Sequence, residues 1–212
     1  MSGPTADAAG ADRPAPAVSV WNLANALTGL RLLLVPVFGW LLLHGDDGEH
    51  RWRTAALVAF LVASVTDRVD GEVARRRGLV TDLGKIADPI ADKALIGTAL
   101  VVLSVLGELA WWVTVLVMGR ELGITALRLV VIRHGVMPAS RGGKAKTFLQ
   151  ALAIGLYVLP RDWVPLPVAE VVMAVAVLVT LTTGADYVLR AVRLRRTSPR
   201  AAAKRARQQA GT

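Results

Sequence analysis

Four aspartates, Asp67, Asp70, Asp88 and Asp92, stand in two pairs within a chain that is otherwise strongly apolar. Read as helix, Asp67 and Asp70 fall at i and i+3 and Asp88 and Asp92 at i and i+4, so each pair shares one helix face. Two such faces brought together make a cluster of oxygen ligands with a formal charge of −4, and hard divalent cations, Mg²⁺ or Mn²⁺, are its natural occupants. The competing reading leaves the acids as ordinary helix-surface groups, or neutralised by Arg68, Arg75 and Lys93. Carboxylates are expensive near hydrocarbon, so a quartet of them requires compensating positive charge in either case.

The elements that must position these acids are set by hydropathy. With 54% hydrophobic residues and a mean hydropathy of +0.49, the composition is too apolar for an ordinary soluble domain. A spanning helix needs about 20 mostly apolar residues. Six stretches approach that length, at about 22–43, 53–74, 88–107, 111–132, 144–160 and 164–190, the second turning polar at Asp67 and the fifth being short and bounded by Pro160. The predicted fold is all-α, a polytopic membrane protein of six transmembrane helices.

Charge orients the helices. Arg75, Arg76, Arg77 and Lys85 lie between the second and third stretches, Arg133, Arg141, Lys144 and Lys146 between the fourth and fifth, and a basic run follows Arg190. By the positive-inside rule these regions and both termini are cytoplasmic, which puts the aspartates at the cytoplasmic ends of the second and third helices. The opposite connections carry Asp46, Asp47 and Glu49, then Glu108, then Arg161 beside Asp162, with Arg51 and Arg53 dissenting. The expected organisation is a disordered tail at 1–19 without the features of a signal peptide, a membrane domain at 20–195, and a basic, unstructured tail at 196–212.

Other classes are disfavoured. The net charge of +9 comes from arginines and lysines that flank hydrophobic spans, which suits anionic headgroups rather than nucleic acid. No cysteine is present, which removes disulfides, thiolate catalysis and Cys-ligated zinc. A histidine zinc site is also disfavoured, because His44 and His50 fall outside and His134 inside. Trp111, Trp112 and Trp163 fit an outer interfacial belt.

The pattern D-x-x-D-G-x-x-A-R, eight residues, then G-x-x-x-D-x-x-x-D, written here by Asp67, Asp70, Gly71, Ala74, Arg75, Gly84, Asp88 and Asp92, resembles the signature of the CDP-alcohol phosphotransferase family. The resemblance covers about residues 20–195 and implies an enzyme of bacterial phospholipid biosynthesis in the cytoplasmic membrane, with its active site facing the cytoplasm. The implied reaction is attack of a hydroxyl on a CDP-linked lipid, with release of CMP. By resemblance, Asp67, Asp70 and Asp88 are metal ligands, and Asp92 is both close to the metals and the general base. Two Mg²⁺ or Mn²⁺ ions per site and a homodimer are likewise implied. Gly71, Arg75 and Thr81 would contact the CDP portion.

Ala74 and Gly84, with Gly71, either admit this ligand or let helix backbones approach closely. Asn25, Thr28 and Arg31 form a polar stripe at i, i+3 and i+6 on the first helix. The resemblance assigns it to the nucleotide or headgroup, whereas the residues alone allow capping by Asn22 or Asn25 and anchoring by Trp21.

Flanking segments, among them Asn22–Arg31, Val80–Lys93, Gly119–Arg128 and Gly143–Gln150, are most similar to the branch of the family that joins CDP-diacylglycerol to glycerol 3-phosphate. A dianionic acceptor needs cations beyond those used for CDP. Arg120 and Arg128 lie about two turns apart on the fourth helix, and Lys144 and Lys146 start the fifth, so these four form a candidate phosphate-binding wall. The competing reading pairs Arg120 with Glu121 and lets the lysines snorkel to headgroups. The alternative acceptor is phosphatidylglycerol, giving cardiolipin. A cation carrier is a remote third reading, since transport sites favour the bilayer midplane.

Overall fold

The computed structural model describes the backbone of residues 23–45, 50–77, 82–131 and 141–197, and the side chains within them except at 23–25, 68–77, 82–89, 128–131, 141–142 and 195–197. The described residues form six helices: α1 (Leu23–His44), α2 (His50–Arg77), α3 (Asp82–Val105), α4 (Trp111–Val131), α5 (Arg141–Val158) and α6 (Leu166–Thr197). Each matches one expected stretch. α2, α3 and α6 run past their apolar windows because helix satisfies its own backbone in water as well as in lipid. The N-terminal tail and residues 198–212 lie outside the described residues.

Two helices, α1 over Ala26–His44 and α6 over Leu166–Leu194, are long and apolar enough to cross a membrane by composition alone. The other four each carry several charges in the half where the site residues fall: Asp67, Arg68 and Asp70 on α2, Asp88, Asp92 and Lys93 on α3, Arg120, Glu121 and Arg128 on α4, Lys144 and Lys146 on α5. Yet all six expose large apolar side chains, with Leu33 at 68%, Val115 at 67% and Val171 at 62% exposure. Such a surface is suited to lipid rather than to water.

The helices pack α1 on α2 and α3, and α6 on α4 and α5. Ala56, Ala59 and Ala63 present a buried small-residue face on α2, and Phe38 meets Phe60 with ring centroids 5.6 Å apart. Where lipid tails are as apolar as leucine, close packing of this kind is what associates helices.

The three connections opposite the aspartates converge on one buried carboxylate. Gly107, at φ +73°, ends α3 in a left-handed turn, in which Glu108 N–H donates to Leu103 C=O at 2.9 Å and Gly107 N–H to Ser104 C=O at 3.1 Å. This closing pattern tolerates glycine at the left-handed position and fixes the residue that follows. That residue, Glu108, pairs with buried Arg53 of α2 and, at 2.8 Å, with Arg161. Arg53 also donates to the carbonyls of Gly45 at 3.3 Å, Tyr157 at 3.1 Å and Leu159 at 3.3 Å. Glu108 therefore neutralises Arg53 within the protein, and this arginine needs no compensation from headgroups on either side of a membrane. Trp40, Trp52, Trp111, Trp112 and Trp163, five of the six tryptophans, gather at this same end.

Candidate active site

At the other end, the polar stripe of α1 meets the first aspartate. Arg31 is wholly buried, and its Nη1 lies 2.6 Å from Oδ1 of Asp67, which retains 38% exposure. Thr28, one turn earlier on the same face, is also buried. An arginine at this depth requires an acid, and Asp67 supplies it. The stripe expected to meet nucleotide or headgroup thus reaches Asp67 through Arg31.

Asp92, on α3, faces a small cavity of about 20 Å³ lined also by Lys93, Ile96 and Met118, by Glu121 of α4, and by Lys146, Thr147 and Gln150 of α5. That is room for about one water. Lys146, buried on the first turns of α5, pairs with Glu121 Oε1, and Arg120 Nη1 donates to the same oxygen at 3.0 Å. Arg120 also donates through Nε to the Thr180 carbonyl at 3.2 Å and through Nη2 to Thr183 Oγ1 at 3.1 Å, which ties α4 to α6. Gly184 makes room for this arginine, since a Cβ there would lie 3.2 Å from Arg120 Nε. Asp92 is within electrostatic reach of Asp67, Lys93, Lys146 and Glu121.

The structure therefore brings together Arg31, Asp67, Asp92, Arg120 and Lys146 of the expected residues. Lys144 is exposed on α5. The side chains of Asn25, Asp70, Gly71, Ala74, Arg75, Gly84, Asp88 and Arg128 lie outside the described residues, as does Thr81 altogether. Glu121 was legible only as a neighbour of Arg120; its place between two cations beside Asp92 depends on how α4 and α5 are rotated. Asp186 pairs with Arg190 at 2.9 Å on α6.

For a metal, the fit rests on donor chemistry. Asp67 and Asp92 face one region from adjacent helices and offer only carboxylate oxygen, the donor preferred by Mg²⁺ and Mn²⁺. Among the described residues no three acids or histidines gather to hold an ion, so a complete site requires Asp70 and Asp88, one turn away on the same helices.

Residues 21–182 match the family model described as CDP-alcohol phosphatidyltransferase. The chain belongs to that family. The match spans all four aspartates and five whole helices. A Mycobacterium tuberculosis protein named "probable phosphatidylglycerophosphate synthase" is 58% identical over 173 residues, covering 81% of this chain and 82% of the relative. A Bacillus subtilis CDP-diacylglycerol–glycerol-3-phosphate 3-phosphatidyltransferase is 36% identical over 181 residues, with 79% and 94% covered. A Streptomyces coelicolor cardiolipin synthase (CMP-forming) is 34% identical over 142 residues, with 66% of each chain covered.

Proposed function

We infer that this phosphatidyltransferase moves the phosphatidyl group of CDP-diacylglycerol onto sn-glycerol 3-phosphate, giving phosphatidylglycerophosphate and CMP. The observation that carries this reading is the 58% identity, over four-fifths of the chain, to a relative named for that activity. The site agrees with it chemically, because buried Lys146 lines the cavity that holds Asp92, and half-buried Arg120 shares the Glu121 oxygen that Lys146 engages.

In the reaction the acceptor hydroxyl oxygen forms a bond to the phosphorus carrying the diacylglycerol. The bond from that phosphorus to the bridging oxygen breaks, and CMP leaves with the electron pair. Asp92 takes the hydroxyl proton, and its contribution is positioning as much as basicity. Two divalent ions held by Asp67, Asp70, Asp88 and Asp92 would neutralise the pyrophosphate and the charge developing on CMP. Arg31 braces Asp67 from α1. Asn25, Thr28, Gly71, Ala74, Arg75, Thr81 and Gly84 are assigned to the CDP-lipid.

Arg120, Arg128, Lys144 and Lys146 are assigned to the acceptor phosphate. Glu121 occupies the place between Lys146 and Arg120 that this phosphate would take, and a cavity of about 20 Å³ admits it only when these side chains part. The enzyme is read as six spans in the bacterial cytoplasmic membrane, with both termini and the site on the cytoplasmic side, working as a homodimer.

Purified protein given CDP-diacylglycerol is expected to release CMP with glycerol 3-phosphate and to do so far more slowly with phosphatidylglycerol. Release with phosphatidylglycerol alone would overturn the acceptor assignment in favour of cardiolipin formation. Lys146→Gln is expected to raise KM for glycerol 3-phosphate at least tenfold, the worth of about one charge-assisted hydrogen bond. Chelation with EDTA is expected to abolish CMP release and added Mg²⁺ or Mn²⁺ to restore it; undiminished turnover after chelation would remove the metals from the reaction.

A further inference from the structure

Gln150 is a buried polar side chain that the transfer reaction, as described so far, does not use. It is 4% exposed, stands one turn beyond Lys146 on α5 and lines the cavity that holds Asp92. Among the described residues its amide has no hydrogen-bond partner. Buried Ser104 and Thr114, by contrast, join α3 to α4 through a hydrogen bond of 2.7 Å. A buried polar group without a protein partner is costly to keep, which points to a ligand or a water beside it.

Helix register sorts the cavity lining into two levels. Asp92 of α3, Glu121 of α4 and Lys146 of α5 form the level nearer the aspartate end of the bundle. One turn further in stand Ile96, at i+4 on α3, Met118, at i−3 on the oppositely directed α4, and Gln150, at i+4 on α5. Among the described lining residues, the inner level therefore holds two apolar side chains and one amide.

A hydroxyl suits this amide. Glutamine donates through its N–H groups and accepts through its carbonyl, and a hydroxyl does both, whereas an ionised phosphate or carboxylate only accepts. The cavity of about 20 Å³ has room for about one water, hence for a hydroxyl but not for a phosphate. Lys146 and Gln150 are about 6 Å apart along α5 at 1.5 Å per residue, a span that a small phosphorylated alcohol can bridge.

We propose that Gln150 is a specificity-determining residue, whose amide hydrogen-bonds the non-reacting hydroxyl of a vicinal-diol acceptor while Asp92 faces the reacting hydroxyl and Lys146 the phosphate. The proposal rests on the acceptor assigned above. In sn-glycerol 3-phosphate the two hydroxyls lie on neighbouring carbons. The primary hydroxyl at C1 is the less hindered nucleophile, which leaves the secondary hydroxyl at C2 for Gln150. An acceptor without that second hydroxyl leaves the amide unpaired in a site built to pair it, and is rejected for that reason.

The test gives full-length protein, in mixed micelles with CDP-diacylglycerol, either glycerol 3-phosphate or 3-hydroxypropyl phosphate, which keeps the phosphate and the primary hydroxyl but lacks the second hydroxyl. CMP release yields kcat/KM for each. Wild type is expected to favour glycerol 3-phosphate at least about tenfold, the effect of one buried hydrogen bond left unmade. Gln150→Met, which keeps the length of the side chain and removes its amide, is expected to bring the two acceptors within about twofold of each other, through a fall in kcat/KM for glycerol 3-phosphate. A merely structural role would lower both acceptors alike and leave their ratio unchanged. Lys146→Gln, which touches the phosphate common to both, is expected to keep the wild-type ratio. Equal kcat/KM of wild type for the two acceptors would overturn the proposal, with no variant needing to fold, and leave the acceptor assignment standing. An unchanged preference in Gln150→Met would overturn it as well. Absence of CMP release by wild type with glycerol 3-phosphate would instead bring down the acceptor assignment, and this proposal with it.

Discussion

Asp92→Asn is expected to lower CMP release by at least about 10³-fold while the protein remains folded in the membrane. Asparagine keeps the size of the side chain but removes the charge and the ability to take the acceptor's proton. General-base catalysis alone is worth about 10²–10⁴-fold, and the loss of an anionic ligand beside the pyrophosphate adds to it. The fold should survive, because the cavity wall retains the Lys146–Glu121 pair and the Arg120 tie to α6. The measurement is CMP release from CDP-diacylglycerol and glycerol 3-phosphate, paired with thermal unfolding in detergent. Turnover above a tenth of wild type would remove Asp92 from the base role. Asp186→Asn is the control: its pair with Arg190 is exposed and lies on α6, so activity should be unchanged.

The largest loss of stability is expected from Glu108→Gln. Glu108 is 2% exposed and compensates Arg53, itself 5% exposed. Removing one partner of a buried pair leaves an uncompensated charge and costs about 3–5 kcal/mol. An exposed i,i+4 pair such as Asp186–Arg190 contributes only about 0.3–0.5 kcal/mol. The unfolding temperature of Glu108→Gln should therefore fall well below that of Asp186→Asn. Equal unfolding temperatures for these two variants would show that the cluster contributes no more than a surface pair.

The helices were legible because each apolar stretch is bounded by polar connections, and α1 and α4 begin and end within about a residue of the apolar windows. Their longer neighbours were misjudged at the ends only, since hydropathy reports where lipid stops and not where helix stops. The aspartate pairs were legible from spacing within single helices. What spacing cannot reveal is the rotation of one helix against another. For that reason the pair between Arg31 and Asp67 could not be read from the stripe on α1, and Arg53 read as a topological exception when Glu108, far along the chain, neutralises it. The pair of Arg120 with Glu121 was within reach of sequence, but the second cation on Glu121 stayed hidden for the same reason. That cation, Lys146, is twenty-five residues away, and only the packed bundle brings both cations to one oxygen.

The Glu108 cluster joins α2 through Arg53, the end of α3 through Glu108 itself, and the end of α5 through the carbonyls of Tyr157 and Leu159. These are the helices that carry Asp67, Asp92 and Lys146 at their far ends. Arg53 and Asp67 are separated by about 20 Å of helix at 1.5 Å per residue. Three levers pinned at one point can part only at the other, and with arms of about 20 Å a tilt of about 6° moves the tips by about 2 Å. The buried carboxylate thus stands where a fulcrum would, and any separation of Asp67, Asp92 and Lys146 would have to come from tilts about the tryptophan-rich end.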